Sequence, residues 1–174
     1  MAIFSGIDGM ILIGIGANLP AQGFATPRDT CEAALVRLAE GGAVRVLRCS
    51  TWRRTAPVPK SDQPWYVNGV AILETSLNPM ALLDHLLATE RSFGRVRTVP
   101  NAARVLDLDL LAYDDHRLDG PAPLILPHPR MVERAFVMLP LAEVAPAWRH
   151  PLSGEVASEI AARFSGAPGI ELLA

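Results

Sequence analysis

Lysine is almost missing from this chain. Of the 16 Lys+Arg residues only Lys60 is a lysine, and the rest are arginines. Asp+Glu number 18, so the formal net charge is −2. That balance excludes a protein that coats nucleic acid or an anionic membrane through bulk charge. It leaves room for local arginines, whose planar forks match phosphate and carboxylate in a way an ammonium cannot. Cysteine is scarce: Cys31 and Cys49 lie in no CxxC and beside no His-rich stretch. That spacing argues against a zinc site and reads as two reduced core thiols in a cytoplasmic protein. Long apolar runs are lacking. The apolar N-terminal stretch, residues 9–22, is too short and too glycine-rich to span a bilayer. Aromatics make up only 6%, too few to favour a sheet that stacks RNA bases on several rings. What is present suffices for a core: 174 residues, 50% hydrophobic and 20% charged, exclude global disorder. Residues 1–9 read as a frayed extension and 10–174 as a single domain.

The pattern along the chain predicts alternating elements. Residues 10–16 (MILIGIG) form a buried strand, followed by a turn over 17–20. Thr26, Pro27 and Asp29 mark a helix start, with an N-cap, a proline at the first position and an acid completing the box. Ala34, Leu35 and Leu38 share one helix face, and Gly41-Gly42 stop it. Residues 44–50 are a strand, 55–64 a proline-bearing loop and 68–75 a strand. Asn78-Pro79 open a second helix striped by Leu82, Leu83, Leu86 and Leu87 and ending at Gly94. A loop over 95–103 leads to a fourth strand, 104–113. The order βαββαβ is that of a ferredoxin-like α+β sandwich. A proline-rich segment (121–129), a helix near 131–139 and a final helix after Ser153 complete the chain.

The chemistry concentrates around Leu106-Asp107-Leu108-Asp109-Leu110. On a strand the leucines face the core, and Asp107 and Asp109 project side by side on the other face. Adjacent carboxylates repel unless a cation lies between them, and Mg²⁺ favours one or two carboxylates plus waters and phosphates. A solvated acidic edge is the plain alternative. Just upstream, Arg91, Arg95, Arg97 and Arg104 occur with no intervening acid. Carboxylates for a metal beside arginines for phosphate oxygens are what a nucleotide site needs. Arg104, three residues before Asp107, starts on the leucine face and reaches the acids only from a ragged strand start. Prolines flank His128, and Arg134 and Phe136 follow on a short helix. Glu90 extends the apolar stripe of the second helix. Tyr66 and Asn68 bring a ring and a carboxamide, which suit a flat heterocycle with a donor–acceptor edge.

Taken together, IGIGANL (13–19), TAPVPKSDQPWYVNGVAILETSL (55–77), GRVR (94–97), RVLDLDLLAY (104–113) and LPHPRMVERAFVMLPLAEVAP (126–146) are similar to one family. The chain resembles the 6-hydroxymethyl-7,8-dihydropterin pyrophosphokinases of folate synthesis. The resemblance implies transfer of pyrophosphate from ATP to a pterin alcohol, with two Mg²⁺ ions held by Asp107 and Asp109. It implies that Arg95 and Arg104 stabilise phosphate charge and that Glu90, Arg97, Leu110, His128 and Arg134 contact the nucleotide. The pterin would lie between Tyr66 and Phe136, its edge meeting Asn68 and the backbone near Thr55 and Val58. Loops 55–64 and 95–103 would close over the substrates. A monomer acting on small molecules, without nucleic acid or membrane, is the matching expectation. The sequence departs from the family pattern at Leu87, Thr98, Asn101-Ala102-Ala103 and Pro129. Two other readings compete: a different DxD-type nucleotidyl- or glycosyl-transferase, and an RNA-binding ferredoxin-like module.

Overall fold

A computed structural model describes residues 9–96, 102–121 and 123–173. The first strand, β1 (Ile11–Ala17), alternates branched apolar residues with glycine. Helix α1 (Pro27–Ala39) opens as its sequence dictates: the Thr26 hydroxyl accepts from the Asp29 backbone N–H, and the Asp29 carboxylate accepts from that of Thr26. It ends in a short 3-10 turn, where Gly41 takes φ 77°, a conformation that strains a side-chain-bearing residue. Then come β2 (Val44–Cys49), β3 (Arg53–Thr55) and the ten-residue β4 (Tyr66–Thr75). Helix α2 (Pro79–Ser92) is capped by Asn78, and β5 (Asp107–Tyr113) follows. The chain closes with α3 (Ala135–Val144), α4 (Ala157–Ala162) and β6 (Ile170–Leu172).

The result is a mixed α/β fold on one antiparallel sheet. Its hydrogen-bonded order is β5-β1-β4-β3-β6, and β2 also pairs with β4. The long β4 carries β1 along one edge. Its other edge is shared, with β3 beside residues 66–68 and β2 beside residues 71–75. Both sheet faces are covered. One core unites Ile11, Ile13 and Ile15 with Leu38 of α1, Leu82 and Leu86 of α2, and Leu106, Leu108 and Leu110. The other unites Leu12, Val70 and Leu111 with Met138 and Leu141 of α3 and Ile160 of α4. The period-2 alternation of each strand sends its side chains to these two cores. The free cysteines belong to this interior: burial pushes the Cys31 thiol up to about 12 and Cys49 up to about 11, so both are inert as nucleophiles.

Several expectations are corrected. The fourth strand begins at Asp107 rather than at residue 104. Strands β3 and β6, each of three residues, have no pattern of their own in the sequence; they pair with each other, and β3 also pairs with β4. The helix expected near 131–139 is a 3-10 turn over Met131–Glu133 followed by α3. Arg134 separates the two in an extended conformation (φ −107°, ψ 106°), so it precedes the helix that Phe136 occupies. The proposed frayed extension lies outside the described residues except for Gly9.

Candidate active site

Strand register builds the floor of the main cavity, which has a volume of about 960 Å³. Asp107 pairs with Gly16, and Gly16 pairs with Asn68 of β4. One step along, Asp109 pairs with Gly14, and Gly14 with Val70. The two glycines keep this face open. A Cβ on Gly16 would stand 2.8 Å from Asn68 Oδ1, closer than side chains tolerate. Helices α3 and α4 cover the rest of the face, so the cavity is the part they leave bare.

The acidic pair lies on this floor with arginines around it. Arg95 Nη1 lies 3.0 Å from Asp107 Oδ1, and Arg104 Nη1 lies 2.6 Å from Asp107 Oδ2. Arg95 also donates to the Leu106 carbonyl. Arg134 Nη1 lies 3.7 Å from Asp109 Oδ2, and its guanidinium stands 5.6 Å from the Phe136 ring centre. Asp107 is therefore neutralised twice and Asp109 only loosely. Burial, and then repulsion from Asp107, push Asp109 up to about 6, while Arg134 pulls it down. The leucines behave as predicted: Leu106, Leu108 and Leu110 are all buried on the opposite face. Leu110 therefore does not line the cavity with its side chain; Leu111 does. Glu90 is buried as well and lies outside the lining. Its Oε1 accepts from the Leu108 backbone N–H at 2.8 Å, which ties the end of α2 to β5. Arg97 falls outside the described residues.

His128 lines the same cavity. Its backbone N–H donates to the Leu111 carbonyl at 2.8 Å, and its Nδ1 accepts from the Arg130 N–H at 3.2 Å. The ring proton thus belongs on Nε2. Burial, followed by repulsion from Arg134 and Arg130, lowers the imidazole to about 4. At neutral pH it is an uncharged donor.

The cavity is also lined by Tyr66 and Phe136, with Thr55, Val58 and Asn68. Asn68 Nδ2 donates to Thr55 Oγ1 at 2.5 Å, and both residues are buried. The amide is thus fixed in orientation, which a selective donor–acceptor edge requires.

One further residue of the site belongs to the turn over 17–20. Asn18 is 2% exposed, and its Nδ2 donates to Gln63 Oε1 and to the Pro64 carbonyl, both at 3.1 Å. Its Oδ1 accepts from the Arg104 N–H at 2.8 Å. A single amide thus joins β1, the loop before β4 and the approach to β5. The only signal in the sequence was an asparagine directly after a buried strand.

Among the described residues no three His, Cys, Asp or Glu side chains converge as a metal cage. Two neighbouring carboxylates are what remains. That all-oxygen, incomplete set fits Mg²⁺, which keeps waters and takes phosphate oxygens as further ligands. A cavity on an antiparallel sheet that is lined by an acidic pair with arginines around it, and also by a fixed amide and two aromatic residues, is suited to moving a phosphoryl group onto a flat organic acceptor.

Comparison with known proteins narrows that class. Residues 12–146 match the model of the 7,8-dihydro-6-hydroxymethylpterin-pyrophosphokinase family, and the chain belongs to that family. A 2-amino-4-hydroxy-6-hydroxymethyldihydropteridine pyrophosphokinase of Synechocystis sp. is 40% identical over 167 residues, covering 92% of this chain and 82% of the relative. A Pseudomonas aeruginosa protein of the same name is 41% identical over 141 residues, covering 81% of this chain and 83% of its own. In fold, the chain is similar to a solved HPPK-DHPS in complex with substrates, with a TM-score of 0.74 at 11% identity. That match covers 95% of this chain but 47% of the other, so the chain spans about half of that longer protein.

Proposed function

We propose that this chain transfers the pyrophosphoryl group of ATP to the hydroxymethyl oxygen of 6-hydroxymethyl-7,8-dihydropterin, releasing AMP, as a step of folate synthesis. Family membership and the named relatives support this reading. The observation that carries it is one cavity lined by both sets of residues: Asp107 and Asp109 among Arg95, Arg104 and Arg134, and the Asn68–Thr55 pair with Tyr66 and Phe136. A generic DxD transferase gives no reason for a locked amide beside two rings. An RNA-binding sheet gives none for two acids on its open face.

Asp107 and Asp109 would hold Mg²⁺, which when bound supplies positive charge to the triphosphate oxygens. The chain's own residues do the positioning. Tyr66 and Phe136 sandwich the pterin ring, and Asn68 fixes its polar edge, aiming the hydroxymethyl oxygen at the β-phosphorus. Attack there forms the new P–O bond and breaks the bond to the oxygen that AMP retains. Arg95 and Arg104 neutralise charge that spreads over the phosphate oxygens, and Arg134 and the Nε2–H of His128 hold the nucleotide. Glu90 acts from behind, fixing the backbone of β5 through Leu108. No covalent protein intermediate is required, because orientation and electrostatics supply the rate.

The same reading extends to architecture. The strands β1, β2, β4 and β5 with α1 and α2 follow the βαββαβ order, and their sheet order β5-β1-β4-β2 is that of a ferredoxin-like sandwich. Residues 10–174 then form one pyrophosphokinase domain. The deciding experiment incubates the purified chain with ATP, Mg²⁺ and the pterin alcohol and identifies the nucleotide product. AMP is expected. ADP, or no pterin-dependent turnover, overturns the proposal.

A further inference from the structure

The family match ends at residue 146, but the cavity does not. Phe164, Ala167, Gly169 and Ile170 also line it. They come from the stretch after α4 and the first residue of β6, and their position has a clear cause. Strand β6 pairs antiparallel with β3, bringing Ile170 opposite Thr55 and Leu172 opposite Arg53. The Gly169 carbonyl accepts from the Ala56 N–H at 2.9 Å, and the Leu173 N–H donates to the Trp52 carbonyl at 2.9 Å. The three-residue β3 is therefore held from both sides, by β4 and by the C-terminal strand. Thr55 ends that strand, and its hydroxyl orients the Asn68 amide.

We infer that the C-terminal segment 164–172 is a positioning and specificity element for the heterocycle end of the cavity. It rests on the pterin reading above. The segment acts in two ways. Its hydrogen bonds fix Thr55 and Ala56, and through Thr55 they fix the amide that reads the ring edge. Phe164, half-buried against the second core, supplies an apolar wall that limits the size of the group accepted there. The nucleotide end is built from β5, the loop before it and the approach to α3, none of which this segment touches by strand pairing.

Gly169 gives a local handle. Its φ of +74° disfavours any side chain, and a Cβ there would stand 3.1 Å from the Ala56 Cβ. Gly169→Ala must push on Ala56 or release the strand. Phe164→Leu keeps an apolar side chain in the second core while shortening the wall.

The test measures steady-state AMP formation by the full chain, varying pterin and ATP separately, together with direct binding of the pterin by fluorescence and a melting curve. Gly169→Ala is expected to raise the pterin KM and Kd by about fivefold to tenfold, with the ATP KM within twofold. Phe164→Leu is expected to relax discrimination against pterins with a bulkier ring substituent, with a cooperative melt retained. Equal losses for both substrates, or unchanged pterin constants in both variants, overturn the inference while leaving the proposed function standing. Failure of the wild-type chain to make AMP overturns the proposed function and takes this inference with it. Should Gly169→Ala melt without cooperativity, the Phe164→Leu constants alone decide.

Discussion

Arg104 reaches Asp107 at 2.6 Å although the two are three residues apart and would lie on opposite faces of a continuous strand. The strand simply does not begin until Asp107. Ahead of it, Asn18 turns the chain: the Arg104 carbonyl accepts from the Asn18 and Leu19 N–H groups, and the Arg104 N–H donates to Asn18 Oδ1. The neck of β5 is pinned to the end of β1, and the guanidinium is swung onto the acidic face.

Asn18→Ala therefore removes three partly buried side-chain hydrogen bonds at once. At about 1 kcal/mol each, with unsatisfied partners adding to the loss, a cost of about 2–4 kcal/mol in stability is expected. Because Arg104 and the loop holding Gln63 lose a common anchor, kcat should fall about tenfold or more even at temperatures well below the melt. Urea midpoints and saturating-substrate rates check the two parts. A stable variant with full kcat would show the clamp to be dispensable.

Asp109 behaves in the opposite sense for stability and for activity. Its folded value, raised to about 6 by burial and by Asp107, exceeds the ordinary carboxylate value of 3.8. Between those two values the folded state binds a proton that the unfolded chain does not. In metal-free protein, Asp109 thus destabilises above about pH 6, and that penalty fades as pH falls toward 4. Asp109→Asn should raise the metal-free stability at pH 7.5 and lose that advantage near pH 4. AMP formation by the same variant should drop by at least about a thousandfold, since the pair can no longer hold a dication. Chelated denaturation curves and a product assay separate the effects.

Asn68→Ala removes an amide held at 2.5 Å by Thr55 on the lining of the cavity. Loss of an amide that pairs with a buried ring edge costs about 1–2 kcal/mol, or roughly tenfold in affinity. The loss is expected in the pterin Kd, with the ATP Kd within twofold. Isothermal titration with each ligand, the nucleotide as a nonhydrolysable analogue, distinguishes the two, and equal losses would remove Asn68 from the pterin subsite.

The parts of this site carried by period and capping were legible in the sequence. The Leu106–Leu108–Leu110 alternation placed both aspartates on one face because a strand offers no other choice. Thr26 and Asp29 announced α1 through local hydrogen bonds alone. What escaped was set by distant partners. Strand β3 is three residues long and exists because β4 and β6 flank it. Arg134 breaks what reads as one helix because the 3-10 turn before it ends at Glu133. The resemblance implies a nucleotide contact for Glu90, and its tie to the Leu108 N–H, 18 residues away, carries no signal in the sequence. Asn18 carried no periodic signal, because its partners lie 45 and 86 residues away.

His128 provides a test that depends on sign. Burial and two arginines hold its imidazole at about 4, below the ordinary 6.5. Above pH 6.5 the ring is neutral in both states and contributes no slope. Between 6.5 and 4 the unfolded chain takes up a proton that the folded chain refuses, so stability falls as pH falls. His150 is also lowered by burial and adds to that fall, whereas Asp109 opposes it. The wild-type curve is therefore a partial cancellation, and only a difference between variants isolates one group. His128→Asn keeps an oxygen able to accept from the Arg130 N–H but cannot titrate. Its urea midpoint should match the wild type's acid dependence above pH 6.5 and fall less steeply between pH 6.5 and 4. Parallel curves across that range would mean that the imidazole is protonated in the folded chain, which would also remove the neutral Nε2–H donor from the nucleotide end of the site.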